Sequence, residues 1–342
     1  MSDTTTPKSI SHTIEFFDND IRLDIFLRQH YSEISRSKIQ QLITSGDVFV
    51  NGKTVKKNAK LKENDIVTLT DPTLFEERGE DAQIILNEMD LDILFEDEYL
   101  LIVNKPAGLV VHPGNGNPDH TLINGIYHYL KDTPGIPRLV HRLDKNTSGV
   151  IICGKNEQAH EAMSKLFTER TIYKGYLGIC LGRYPDPNGI IEAPLGRSKV
   201  DPIKRTIRPD GRDSRTDYAL IAHESGVSVM AYRLHTGRTH QIRVHSSFAG
   251  FPIVQDTFYG GEKERIKKLE PMERALAYKV YANIHRQALH ARYLAFDHPY
   301  TGEHLTIIAP LHDDFKKALA PFNLSDDQLN VYETPLLDVI YK

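Results

Sequence analysis

Apolar residues recur along the chain with two different periods. Leu23, Phe26 and Leu27 return at helical spacing, and Ile39, Leu42 and Ile43 repeat it, which predicts two short helices. Ser35 is placed to cap the second helix, and Gly46 can end it in a left-handed conformation. The period then drops to two in Val48-Phe49-Val50-Asn51-Gly52-Lys53-Thr54-Val55, where Asn-Gly between alternating residues signals a tight hairpin. Two helices and a hairpin predict a small module over residues 15–72, behind a flexible tail at 1–14.

A polar, charge-rich stretch follows, with Pro72, Glu76, Glu77, Arg78, Gly79, Glu80 and Asp81, and reads as a linker over 73–88. The main region, expected at 89–320, opens on hairpin grammar: Ile93-Leu94-Phe95, a turn at Glu96-Asp97-Glu98, and Leu100-Leu101-Ile102-Val103. Asn156 can cap a helix that turns Ala159, Met163, Leu166 and Phe167 to a core. Strand-like runs then dominate, at 172–181, 214–222, 227–234, 289–296 and 304–308. The pattern predicts an α+β fold with a mixed, largely antiparallel sheet and helices packed against it. The extension at 321–342 carries Leu336, Leu337, Val339 and Ile340, an apolar tail that could dock on the body or on a partner.

A chain of 342 residues suits about two domains, and 40% hydrophobic with 26% charged residues is ordinary for a globular protein. No apolar run approaches the roughly 18 residues of a membrane span. The polar start, Met1 to Ser11, does not read as a signal peptide. Cys153 and Cys180 both fall in apolar strand-like runs, as small hydrophobes do in a reducing compartment, so a cytoplasmic protein without disulfides is expected. The net charge of −4 argues against a nucleic-acid partner until its distribution is considered. Between Ile21 and Thr70 nine basic residues face five acidic ones, a local positive surplus of four.

The chemistry concentrates in His141-Arg142-Leu143-Asp144-Lys145-Asn146-Thr147-Ser148-Gly149, a polar, glycine-ended turn before the apolar run Val150 to Cys153. An Asp between Arg142 and Lys145 is expected to be ionised, and a loop on a rigid strand is a common mount for reactive groups. Turns are also built from Asp, Asn, Ser and Gly for local reasons, so composition alone leaves a catalytic carboxylate and a turn-capping Asp both open. Histidines 112, 141, 240 and 245 lack the carboxylate-histidine spacing of zinc enzymes, and His141 reads as structural.

The signature His141-Arg142-Leu143-Asp144 with Thr147-Ser148-Gly149 resembles that of the RluA-type pseudouridine synthases. Three further elements resemble that family in the same order: Asn104-Lys105-Pro106-Ala107-Gly108 through His112-Pro113-Gly114, Lys174-Gly175-Tyr176, and His235-Thr236-Gly237-Arg238-Thr239-His240-Gln241-Ile242-Arg243-Val244-His245. Together they span roughly residues 93–312. The small module resembles the alpha-L RNA-binding fold through Arg22-Leu23-Asp24, Ile34-Ser35-Arg36-Ser37 and Val50-Asn51-Gly52.

The resemblance implies conversion of uridine in RNA to its carbon-linked isomer, most plausibly in large-subunit (23S) ribosomal RNA, with no external cofactor and no metal. It implies Asp144 as the catalytic group and Tyr176 as the tyrosine that stacks on the base and helps remove the proton from its carbon 5. Arg243 corresponds to the arginine that pairs with the catalytic carboxylate. On position alone, Tyr176 reads as a packing residue, as aromatic residues on strands usually are, and Arg243 as a surface helix arginine; the motif match reverses the reading of Tyr176. Arg142 is a candidate to fill the stack vacated by an extruded base, and Arg36, Lys38 and Lys53, with Lys56 and Lys57, could track phosphates. With no Trp, stacking falls to Tyr, Phe, His or Arg. Two positions depart from the family pattern: Gln255 stands where glycine is usual, and Gly178 where alanine is. Two other function classes fit parts of the sequence: a ribosome-assembly factor that binds RNA with little or no turnover, and a retaining glycosidase, which needs a second carboxylate about 5 Å from the first. A monomer is expected.

Overall fold

The computed structural model describes residues 9–14, 21–31, 36–70, 85–114, 117, 119–201 and 203–330. They fall into two compact units that divide between Ile85 and Leu86, inside the expected linker.

In the first unit the elements are β1 (Ile10–Thr13), α1 (Leu23–His30), α2 (Arg36–Ser45), β2 (Val48–Val50), β3 (Lys53–Thr54) and β4 (Ile66–Leu69). The antiparallel sheet has the order β1-β4-β2-β3. Asn51 and Gly52 both have positive φ, 51° and 73°, as the tight turn between β2 and β3 requires. The apolar faces of both helices close on the sheet, and Leu23, Phe26, Leu27, Ile39, Leu42 and Ile43 are all buried. Arg22 forms a bidentate pair with the buried Asp24, Nε to Oδ1 and Nη2 to Oδ2, both at 2.9 Å. Gly46 ends α2 with φ 90°, while the expected cap, Ser35, lies outside the described residues.

The expected flexible tail is too long by five residues. Ile10–Thr13 pair with β4, and Ile14 is 1% exposed in the core. The alternation there is short and polar, so only the partner strand reveals it.

The second unit is built on a ten-stranded sheet. Its strands are β5 (Ile93–Glu96), β6 (Leu100–Lys105), β7 (Arg138–Leu139), β8 (Ser148–Gly154), β9 (Tyr173–Leu181), β10 (Asn188–Glu192), β13 (Arg215–Glu224), β14 (Val227–Leu234), β15 (Leu289–Asp297) and β16 (His304–Ile308); β11 (Leu195–Arg197) and β12 (Arg205–Ile207) form a separate hairpin. The order is β10-β13-β14-β9-β15-β8-β6-β5, with β16 on β15 and β7 on β8. Every pairing is antiparallel except β15 with β8. Helices α3 (Leu122–Tyr129), α4 (Glu157–Glu169), α5 (Gln241–Phe248), α6 (Arg274–Asn283) and α7 (Asp313–Leu319) complete the layers. Asn156 caps α4, its side chain accepting from the Ala159 amide at 2.9 Å.

Two large apolar clusters hold this unit, one around Leu177, Ile179, Val229 and Ile242, the other around Ile102, Ile151, Ile152 and Met163. Burying each such side chain contributes on the order of 2 kcal/mol. Tyr176 packs against both clusters, so it stands at their seam. The C-terminal extension turns back onto the body: Leu329 is buried in the first cluster, and Arg292 Nη2 donates to Asn330 Oδ1 at 2.9 Å. The tail residues Leu336, Leu337, Val339 and Ile340 lie outside the described residues. Both cysteines are buried and free.

Candidate active site

The turn bearing Asp144 is held from below by cations and amides donating to its backbone and hydroxyls. Lys105, fully buried, donates from Nζ to the carbonyls of Pro106 (2.7 Å), Leu109 (2.9 Å) and Lys145 (3.1 Å). Burial and the charge of Arg286 pull the Lys105 pKa down to about 7, against the opposing pull of Asp144. Arg286, paired to Asp314 through Nε at 2.6 Å, reaches the Asn146 carbonyl with Nη1 at 3.4 Å. Gln287 Nε2 donates to Thr147 Oγ1 at 2.8 Å, and Ser148 Oγ is hydrogen-bonded to His290 Nδ1 at 2.8 Å. The turn closes itself with the Thr147 amide donating to the Asp144 carbonyl at 3.0 Å.

Gly149 ends the turn where β8 meets β15 in the parallel register Gly149 to Ala291. Its φ is 114°, and a Cβ there would lie 2.2 Å from the Ala291 carbonyl oxygen. Only glycine lets the two backbones approach this closely.

Asp144 and Arg243 meet although 99 residues separate them: Arg243 Nη1 donates to Asp144 Oδ2 at 2.9 Å. Arg243 lies in the first turn of α5 and is 6% exposed, so it is no surface arginine. Its other edge is taken by Asp256, with Nε to Oδ2 at 2.7 Å and Nη2 to Oδ1 at 2.9 Å. Burial opposes the charge of Arg243, yet the bonds and charges of Asp256 and Asp144 outweigh it and raise its pKa. Tyr259 and Phe258 stack near the guanidinium, 5.0 and 5.6 Å from ring centre to carbon.

Asp256 and His240 are site residues that sequence reading missed. His240 Nε2 lies 3.8 Å from Asp144 Oδ2, and Nδ1 is hydrogen-bonded to Tyr259 Oη at 2.7 Å. Burial lowers the His240 pKa despite Asp144, so the ring is neutral at pH 7. Asp256 had one signal: it follows Gln255, the position where the family pattern has glycine. Gln255 indeed has φ 63°, the left-handed backbone glycine favours, and its Nε2 donates to the Tyr281 carbonyl at 2.9 Å. The turn that follows delivers Asp256 to Arg243. The second departure has a packing reason, since a Cβ on Gly178 would sit 2.9 Å from the Tyr232 ring.

Arg142, Asp144, Tyr176, His240 and Arg243 line one pocket, in which Asp144 is the single carboxylate among the described residues. Tyr176 sits on β9 with Ala291 of β15 and Tyr232 of β14 as register partners. Burial and then the charge of Asp144 push its phenol pKa up, so the hydroxyl keeps its proton at neutral pH. His141 lies below the turn: its Nε2 accepts from the Ile152 amide at 3.1 Å, its ring stacks on Phe167, and burial drives its pKa to about 3. Another cavity, whose charged lining is Arg197, Arg205, Arg212, Arg238 and Asp210, shares Gly237, Arg238 and Thr239 with the pocket.

Three of the expected RNA-contacting residues belong to the other unit. Lys38 lies on α2 and is half-buried, and Lys53 is exposed on β3. Arg36 begins α2, and its side chain lies outside the described residues. No group of three or more His, Cys, Asp or Glu placed to hold a metal occurs among the described residues. None of their helices is long and apolar enough to cross a membrane.

Residues 99–248 match the family model described as RNA pseudouridylate synthase, and residues 21–67 match the S4 domain. The chain is 37% identical to the Bacillus subtilis protein named uncharacterized RNA pseudouridine synthase YlyB, over 87% of this chain and 93% of that protein. It is 36% identical to ribosomal large subunit pseudouridine synthase D of Vibrio parahaemolyticus, over 89% and 92% of the two chains. Among solved structures, human RNA pseudouridylate synthase domain containing 1 superposes with a TM-score of 0.53 at 26% identity, covering 75% of this chain and 99% of that one. Fold and sequence thus define an RNA pseudouridine synthase, an isomerase of uridines in RNA. Within that class the chain belongs to the RluA-type family, with an S4 RNA-binding domain at its N-terminal end.

Proposed function

We propose that this enzyme isomerises specific uridines of large-subunit ribosomal RNA, with Asp144 as the catalytic group. The observation that carries the reading is the 2.9 Å contact between Asp144 and Arg243 in a pocket with no second acid among its described lining. A retaining glycosidase would need two working carboxylates; the neighbouring one, Asp256, is 1% exposed and spends both oxygens on Arg243.

Asp144 acts on the target nucleoside as nucleophile or as base toward a sugar proton, so that the glycosidic bond breaks, uracil turns in the pocket, and carbon 5 joins the sugar. Arg243 holds the carboxylate in position, and Asp256 holds Arg243. The ring of Tyr176 backs the base, while its protonated hydroxyl can hand on the carbon 5 proton only after giving up its own. Arg142, exposed beside Asp144, can occupy the gap left by the extruded base. Lys38 and Lys53 of the S4 domain, with Arg36, contribute phosphate contacts that position the RNA. The ribosomal target is supported by relatives named ribosomal large subunit pseudouridine synthase D, matched over most of their length.

Tritium release from RNA labelled at carbon 5 of uridine tests the assignment. Asp144→Asn should abolish release on an unmodified large-subunit transcript while retaining folding and RNA affinity. A variant that still forms the isomer removes Asp144 from the role, and an inactive wild type on that transcript points to another RNA or to a binding protein without turnover.

A further inference from the structure

Next to the catalytic pocket lies a cavity of about 470 Å³ that the isomerisation scheme does not use. Arg142, Tyr176, Gly237 and Arg238 line both spaces, so the two are contiguous. The cavity's charged lining is Arg142, Arg170, Lys174 and Arg238, and its described lining contains no carboxylate. Of its two histidines, His141 is neutral, and His235 is paired to the buried Asp217 at 2.6 Å.

Lys174 is the unusual member. It is 9% exposed, and its ammonium lies 5.5 Å over the Phe167 ring, with no acid partner within 4 Å among the described residues. Its stem is buried, but its ammonium is not among the buried polar atoms left without a partner, so the cation keeps access to the cavity and can meet an anion that enters it. The contrast with Lys105 is direct, because Lys105 is also buried but satisfies three carbonyls. Lys105 is built as a structural cation; Lys174 is built as one awaiting an anion. Burial and the charge of Arg170 lower its pKa to about 8, which leaves it mostly protonated at pH 7. Lys174 and Tyr176 are two residues apart on β9 and so face the same side, about 7 Å apart along the strand, a spacing on the scale of one nucleotide.

We propose that this cavity seats an RNA backbone phosphate beside the target uridine, held by Lys174 with Arg170, Arg142 and Arg238. The inference rests on the reading of the chain as a uridine isomerase and adds to it a phosphate site outside the base pocket. A phosphodiester fits because the ligand must be anionic and must continue from a base held against Tyr176. The paired charge then comes from substrate.

The test is the salt dependence of binding to an unmodified large-subunit rRNA transcript, measured on the full chain, since each lost phosphate contact lowers the slope of log K against log salt by about 0.7 to 0.9. Lys174→Met should weaken binding roughly tenfold, reduce the slope by about one contact, and leave the melting temperature equal or higher; Lys174→Arg should restore affinity and slope. A residue with a purely structural role would do the opposite, losing stability while keeping the slope. Should Lys174→Met fail to fold, Arg170→Ala at the exposed rim reads the same site: a reduced slope supports the phosphate, and an unchanged slope overturns it. Pseudouridine formation by wild type on the same transcript is scored separately, so a failed isomerase reading and a failed phosphate site give different results.

Discussion

Asp256 binds Arg243 on two of its nitrogens and leaves the third, Nη1, facing Asp144. The guanidinium is therefore aimed by a buried acid that never reaches the pocket. Both ends of this relay come from loops that sequence distance separates widely, and the rigid fork of arginine joins them.

Asp256→Ala should cost about 3 kcal/mol of stability, because breaking a buried pair leaves a cation partly uncompensated. The same change should lower isomerisation by freeing Arg243 to swing. Urea denaturation alongside tritium release measures both, and a stability loss below about 1 kcal/mol would mean the pair does not hold the site.

Gly149→Ala should prevent correct folding of the second unit or destabilise it by at least about 3 kcal/mol, since the residue combines φ 114° with a backbone oxygen 2.2 Å from the added carbon. Circular dichroism and thermal melting decide it. A well-folded variant with native stability would show that β8 and β15 can part at this point without penalty.

Gln255→Gly trades relief of a left-handed backbone, about 1 kcal/mol, for a lost hydrogen bond to Tyr281 of similar worth, so stability should change by less than about 1 kcal/mol. Gln255→Val, with a branched side chain in the same backbone, should lose about 2 kcal/mol. Equal stabilities for the two variants would contradict the left-handed loop.

His290 is buried and His141 half-buried, and the pKa values of both are lowered to about 3, chiefly by burial. The unfolded chain binds their protons near pH 6.5 and the folded chain does not, so stability is full above that pH and falls as pH drops toward 3. Between pH 7 and pH 5 the loss should be on the order of 2 kcal/mol per histidine. Urea midpoints that stay level over that interval would show that the folded state accommodates the charge.

Much of this protein can be read from local pattern. The helical spacing of Leu23, Phe26 and Leu27, the Asn51-Gly52 turn, the cap at Asn156 and the strand-like apolar runs of β13, β14 and β15 can be read locally, because each depends on neighbours a few residues away. Asp144, Tyr176 and Arg243 were legible through motifs, and the fold brings all three to one pocket. Ile10–Thr13 was not legible, because a short polar strand takes its identity from the partner it pairs with, here β4.

The residue types and turn chemistry of the signature loop were thus settled by sequence alone. Tertiary structure decided which charges meet: Asp256 with Arg243, Lys105 with the carbonyl of Lys145, and Lys174 left facing a cavity. The physical reason is that hydrogen bonds and ion pairs act over a few ångströms in space, and only the packed sheet converts separations of a hundred residues into such distances.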